Sequence, residues 1–317
     1  MLSEILAMIF DLRTLNAAIR LSTPIALAAL GGAFSERAGV INIGLEGMLL
    51  TGAFAGALGS FLTGSALVGL LLAVVAGAGM AVVLSVFTVE FQANHVVAGV
   101  GINIFAAGMT TWLMQVVWES RGTTPAVPRL TVVSIPVIRD IPLLGPVIGV
   151  QSPLVYLMLA LIIGGWVLLY KTPLGLRIRM TGENPEAADT LGINVRMIKH
   201  FSVILGGALC GIGGAYLSIG SLGRFSNGMS AGRGFMGLAA NIFGQWNPIG
   251  GLGASMLFSY ADAVQIRLQG LDIALPHNII QMIPYILTII VLAGGMVRSR
   301  PPAALGNNYR SGAVAGR

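Results

Sequence analysis

Long uncharged apolar stretches alternate with short polar clusters along the chain, at a spacing that predicts membrane-spanning helices. The longest runs from Gly47 to Val89, 43 residues without a charged side chain. A helical span needs roughly 20 apolar residues, so this run holds two. Lipid admits only helices or closed barrels. Barrel strands alternate apolar and polar positions over about 10 residues, whereas these runs are continuous. The fold class is therefore all-α, a polytopic helical membrane protein. Nine segments read as candidate spans: 15–34, 40–62, 65–89, 94–118, 152–170, 200–222, 234–255, 257–274 and 279–297. The first carries Arg20 and the eighth carries Asp262 and Arg267, so these two read as weak or partial. Residues 1–300 form one transmembrane domain. The stretch 301–317 reads as a disordered cytoplasmic tail. Leu2, Ile5, Leu6 and Ile9 share a helical face, which predicts an interfacial helix. Glu4 and the lack of a basic leader speak against a signal peptide.

The loops orient the spans. Residues 119–151 form a proline-rich loop with Pro125, Pro128, Pro136, Pro142 and Pro146. Residues 171–199 carry Lys171, Arg177, Arg179, Arg196 and Lys199, and Arg298, Arg300, Arg310 and Arg317 follow the last span. Basic loops face the cytoplasm, and four spans separate the two basic regions, an even number. The proline-rich loop is then outside. Nine spans put the N-terminus outside; eight, without the first, put it inside.

Composition agrees. The chain is 55% hydrophobic and 9% charged, against about 45–50% and 25% for soluble domains. The net charge of +6 sits in loops, as topology requires, and does not point to nucleic acid. Glycine, 44 residues, is about twice its ordinary share, and small residues let membrane helices approach closely; Gly52 with Gly56 and Gly207 with Gly211 have that spacing. The single cysteine, Cys210, excludes an internal disulfide or thiolate cluster. His95, His200 and His277 show no convergent metal set, so no metal and no cofactor are expected. There is no Ser-His-Asp or paired-carboxylate pattern. No Gly-Lys pair occurs, hence no G-x-x-x-x-G-K-[ST] phosphate loop. No enzyme active site is visible.

One internal echo stands out. Gly99-Val-Gly-Ile-Asn103-Ile-Phe105 resembles Gly237-Leu-Ala-Ala-Asn241-Ile-Phe243, 138 residues on. The span count makes the two run in opposite directions, as in an inverted repeat, or the match is a coincidence of apolar composition.

Charge is scarce, yet "TGENPEAADTLGINVR" (181–196) is polar. Asn184 suits a helix N-cap, Pro185 the first helical position and Glu186 the positive end of the dipole. Gly192 suits a left-handed stop. The stretch predicts a two-turn cytoplasmic helix, about 10 Å long, with Ala187, Ala188, Leu191 and Ile193 as an apolar face turned to water. Such a face calls for a partner.

This stretch resembles the cytoplasmic coupling loop of ABC importer permeases of the branched-chain amino acid, ribose and simple-sugar family. "FSERAGVINIGLEGMLLTGAF" (34–54) and "GRGFMGLAANIFGQWNPIGGLGASMLF" (232–258) resemble its nucleoside and simple-sugar branch, and the likeness spans roughly residues 15–300. It implies a multi-pass permease of the bacterial inner membrane, with ATP bound by a separate ATP-binding subunit. Asn184, Pro185, Glu186, Ala187, Ala188, Leu191, Gly192 and Ile193 would meet that subunit. It further implies a second, related permease chain, an extracytoplasmic solute-binding protein and a nucleoside substrate. Simple-sugar and branched-chain amino acid importers are the neighbouring alternatives. An ion-coupled secondary transporter would need intramembrane acids, of which Asp262 and Glu46 are the few present.

Uncharged amides and an aromatic inside spans suit a polar, uncharged solute, or else hydrogen-bond helix to helix. The pathway candidates are Asn42 and Glu46, which read as one helix face, then Asn94, Asn103 and Gln115, then Asn241, Gln245 and Trp246. Glu36 and Arg37 read as a pair at the membrane surface.

Overall fold

A computed structural model describes residues 11–134, 145–269 and 300–309, with Met282 and Ile286. The N-terminal apolar face, the segment 279–297 as a span, His277, and Arg298, Arg310 and Arg317 lie outside the described residues. The elements are α1 (Leu12–Arg37), α2 (Leu45–Thr63), α3 (Ala66–Ser85, continued by a π turn to Glu90) and α4 (His95–Trp118). The loop after α4 holds β1 (Val133–Ser134), α5 (Gly145–Ile148) and β2 (Val150–Gln151), the two strands pairing antiparallel. Then come α6 (Pro153–Lys171), α7 (Pro173–Glu183), α8 (Pro185–Thr190), α9 (Val195–Ala215, with a π turn to Leu222), α10 (Arg233–Phe243) and α11 (Pro248–Gln269).

Among the described residues six helices are long and apolar enough to cross a membrane: α1, α2, α3, α4, α6 and α9. The first predicted span is thus a full helix despite Arg20. The Asn16 amide near its start donates to the Pro146 and Val147 carbonyls (2.8 and 3.1 Å) in the proline-rich loop. Past its end, Gly39 accepts from Gly306 beside Gly182 of the basic loop. So α1 begins on the proline-loop side.

The two spans predicted at 234–255 and 257–274 need correction. The chain breaks at Gly244–Asn247 instead of near 256. It gives an 11-residue α10, about 16 Å long, followed by a 22-residue α11. The break is conformational: Gln245 and Trp246 both sit at positive φ (57° and 54°), and Pro248 then starts the next helix, where its missing donor costs nothing. α11 runs back antiparallel to α1, and Arg267 near its end pairs with Asp11 (2.9 Å) and Thr14 at the start of α1. The Arg13 N–H, reinforced by the Arg267 contact, holds the Asp11 carboxyl below its ordinary pKa.

Glycine seams set the helix spacing. A Cβ on Gly77 would come 2.4 Å from the Gly207 carbonyl, one on Gly52 2.6 Å from Gly211 Cα, and one on Gly31 2.6 Å from the Gly206 carbonyl. Backbones this close gain packing that lipid cannot compete with. On the outer side Phe54 packs edge-on against Trp118 and Phe225 (centroids 5.8 and 5.4 Å). The proline-rich loop is pinned there by main-chain bonds from Leu130, Val127 and Thr124 to Ile219, Gly223 and Phe225.

The disordered tail needs correction over its described part. Residues 301–309 are buried or bonded at several points, with Ala304 and Gly306 donating to Gly182 and Gly39.

Candidate functional site

A cavity of about 530 Å³ opens in the outer half of the molecule. Several of its walls are places where regular helix gives way, and Ile266 of α11 completes the lining. Pro24 in α1 has no N–H for the Arg20 carbonyl one turn back, and Arg20 and Pro24 both line the cavity. The π turn of α9 contributes Tyr216, Leu217, Ser221 and Leu222; such turns recur at functional sites. The connection to α10 adds Ser226 and Met229, and α10 starts with Arg233 in the wall. The Tyr216 hydroxyl lies near Arg20 and Thr23. Arg233 donates to the Met229 and Ser230 carbonyls (3.1 and 3.3 Å) and lies within Coulombic reach of Asp262. The lining thus offers two guanidinium groups, hydroxyls and one aromatic ring against apolar walls, with no carboxylate among the lining residues. This can hold a polar, uncharged solute and disfavours a cation.

Below the cavity α10 is held at both ends by a glutamate. Glu46 accepts from the Gly232 and Gly234 N–H groups at its start (2.8 and 2.6 Å). Glu36, 2% exposed, accepts from the Asn241 amide (2.9 Å) and the Trp246 indole (2.5 Å) at its end. Two expectations fall here. Asn42 precedes α2, which begins at Leu45, so Asn42 and Glu46 do not share a helix face. Glu36 does not pair with Arg37 at the surface, because α1 buries it against α10. Arg37 instead donates to the Gln245 and Trp246 carbonyls (both 3.0 Å) and to the Tyr170 hydroxyl (3.3 Å).

None of the eight pathway candidates lines this cavity. Asn42 donates to Ser35 (3.1 Å). Asn94 caps α4, accepting from Val96 and Val97. Asn103 accepts from Gly47 (2.8 Å) and donates to Ile43 (3.0 Å), tying α4 to the start of α2. Gln115 accepts from Arg121 (3.1 Å). Glu46, Asn241 and Trp246 fix α10, and Gln245 makes the corner after it. The echoed segments run in opposite directions, α4 outward and α10 inward. In each, the glycine seats the helix on a neighbour's backbone: Gly99 on Ile43 and Gly44, Gly237 on Ile25 and Ala29.

On the cytoplasmic side the capped helix forms as α8. Asn184 accepts from Ala187 (2.9 Å), Pro185 opens the helix, and Gly192 follows it at φ +76°. The expected water-facing patch is smaller than predicted. Ala188 is buried against the body, while Leu191 is 69% exposed, with Met197 also exposed. An open hollow of about 480 Å³ lies beside it, lined by Asp189 and by residues 192–196.

The family model for the branched-chain amino acid transport system permease component matches residues 14–292. The chain belongs to that permease family. The guanosine ABC transporter permease protein NupQ of Bacillus subtilis (strain 168) is 38% identical over 302 residues, 92% of this chain and 94% of NupQ. The nucleoside ABC transporter permease protein NupC of Lactococcus lactis subsp. cremoris (strain MG1363) is 37% identical, covering 91% and 93%. The putative glucose ABC transporter permease protein TsgC13 of Haloferax volcanii is 33% identical, covering 95% and 98%.

In this multi-pass membrane permease the residues that sequence reading missed are Arg20, Tyr216, Ser221, Ser226 and Arg233. A signal was present: two arginines inside or beside apolar runs, where an ionisable group points to function. Arg20 instead counted against its span, and Arg233 sat inside a family signature.

Proposed function

We propose that this permease forms the membrane pathway of an ATP-driven importer for nucleosides. The carrying observation is likeness along nearly the whole chain to NupQ and NupC, whose names specify guanosine and nucleosides. The outer cavity supports it, since guanidinium and hydroxyl donors suit the carbonyls, ring nitrogens and sugar hydroxyls of a nucleoside, and Tyr216 offers a stacking face. The solute would arrive from an extracytoplasmic binding protein docked on the proline-rich loop. A separate ATP-binding subunit would push on α8 through Leu191 and the hollow beside it, and a second permease chain would complete the pathway. No ATPase site is expected in this chain, and no cofactor of its own.

The test is uptake of labelled guanosine, ribose and leucine by cells with and without this chain, its partner subunits present in both. Loss of guanosine uptake alone is expected. Loss of ribose or leucine uptake instead would keep the importer and overturn the substrate. The likeness to TsgC13 makes a hexose the fourth solute to include. Arg20→Ala is expected to lower guanosine uptake about tenfold, one lost polar contact to a buried solute. A wild-type rate would remove the cavity from the pathway.

A further inference from the structure

The segment after Arg300 crosses the cytoplasmic side and bonds to several helices or the turns beside them. The Ala303 N–H donates to the Glu183 carboxylate (3.2 Å) and the Ala304 N–H to the Gly182 carbonyl (2.9 Å). The Gly306 N–H donates to the Gly39 carbonyl (3.0 Å), just past α1. The Lys199 ammonium of α9 donates to the Asn307 carbonyl (3.3 Å). The Asn308 amide donates to the Gln92 carbonyl (2.6 Å) between α3 and α4, and the Tyr309 hydroxyl to the Asp189 carboxylate (2.7 Å) in α8. One nine-residue strap therefore joins α8 to the ends of α1, α3, α7 and α9. Between the strap and the start of α8 lies an open hollow of about 510 Å³, with Asn184, Pro185, Glu186, Asn307 and Tyr309 in its walls.

We propose that residues 301–309 are the second wall of the seat for the ATP-binding subunit, and the brace that makes α8 rigid with the membrane helices. This rests on the reading of α8 as the helix that subunit pushes. The physical need is plain. α8 has six residues, and isolated helices under about 12 residues are marginal in water. Its far end passes into the Gly192 turn, where nothing packs within 4 Å of the position of a Cβ. A push on an unbraced helix would bend that turn and leave the spans where they were. With Tyr309 holding Asp189 and Asn308 holding Gln92, the same push displaces α3 and α8 together.

The test uses the complete transporter in proteoliposomes: both permease chains, the ATP-binding subunit and the binding protein. Solute transported per ATP hydrolysed is read for each variant and normalised to ATP-binding subunit retained. A chain ending at Arg300 is expected to lose this ratio by at least about tenfold, the scale of a typical coupling free energy. A chain ending at Tyr309 is expected to keep it. Tyr309→Phe with Asn308→Ala removes two braces without shortening the chain, and is expected to lose several-fold; a wild-type ratio in this double variant overturns the proposal even if the shortened chain fails to fold. Leu191→Asp separates the two readings. If it abolishes transport while the strap variants stay normal, the strap proposal alone falls. If Leu191→Asp leaves both transport and subunit retention normal, α8 is not the pushed helix and the strap proposal falls with it.

Discussion

At its start α10 meets Glu46, and at its end Glu36. Glu46 lies in the first turn of α2 and faces the first N–H groups of α10, so it sits at the positive end of two helices. Carboxylates are stabilised there by the dipole and by unsatisfied N–H donors. Glu36 lies in the last turn of α1 and against the last turn of α10, the negative end of both. Its position is enforced by two side-chain donors and by burial, not by helix polarity. The same residue type thus serves one end by local backbone chemistry and the other by tertiary packing. The cavity lies at the locally stabilised end, and the corner before α11 at the packed end.

The comparison breaks most visibly at Glu36. Glu36→Ala leaves the Asn241 amide and Trp246 indole without an acceptor, at about 1–3 kcal/mol for each buried donor. The purified permease should melt well below wild type in detergent, and an unchanged midpoint would refute the lock. Gly234→Ala comes next. Its Cβ would lie 2.4 Å from the Glu46 backbone, so the start of α10 must shift, costing about 1–3 kcal/mol. Gly253→Ala meets nothing within 4 Å and serves as the control that should not melt lower. Glu46→Ala removes a cap, worth about 1–2 kcal/mol. Glu46→Gln should restore part of that loss, since one amide oxygen still accepts; equal melting of the two variants would dismiss the capping account. The smallest effect is a gain: Gln245→Gly frees a residue held at φ 57° and should raise stability by up to about 1 kcal/mol.

The long helices were legible because lipid enforces a simple rule, about 20 apolar residues without interruption. That rule fails at 244–247, where no charge interrupts the stretch and the break is made by two positive φ angles. The local clue was the Asn-Pro pair at 247–248, a turn and helix-start signal lost inside an apolar run. The cap at Asn184 and the stop at Gly192 were legible because capping is local. The burial of Ala188 was not, because it depends on what the short helix rests upon. The amides chosen for the pathway illustrate the same limit. Asn94 is polar for the local reason of capping α4, whereas Asn103 and Asn241 are polar because they dock on Gly47, Ile43 and Glu36, which lie far off in sequence. The cavity joins Arg20 and Arg233, which are far apart in sequence, and spacing along one chain gives no hint of that meeting.

The strap also sets an order in time. Tyr309 lies 120 residues beyond Asp189, and a ribosome adding roughly 5–20 residues/s needs about 6–24 s to make that interval. Throughout it α8 exists without the hydroxyl that holds its last turn, while the later helices are still entering the bilayer. A half-made permease therefore presents α8 without this contact, and the cytoplasmic surface around it is finished only once Tyr309 has been made.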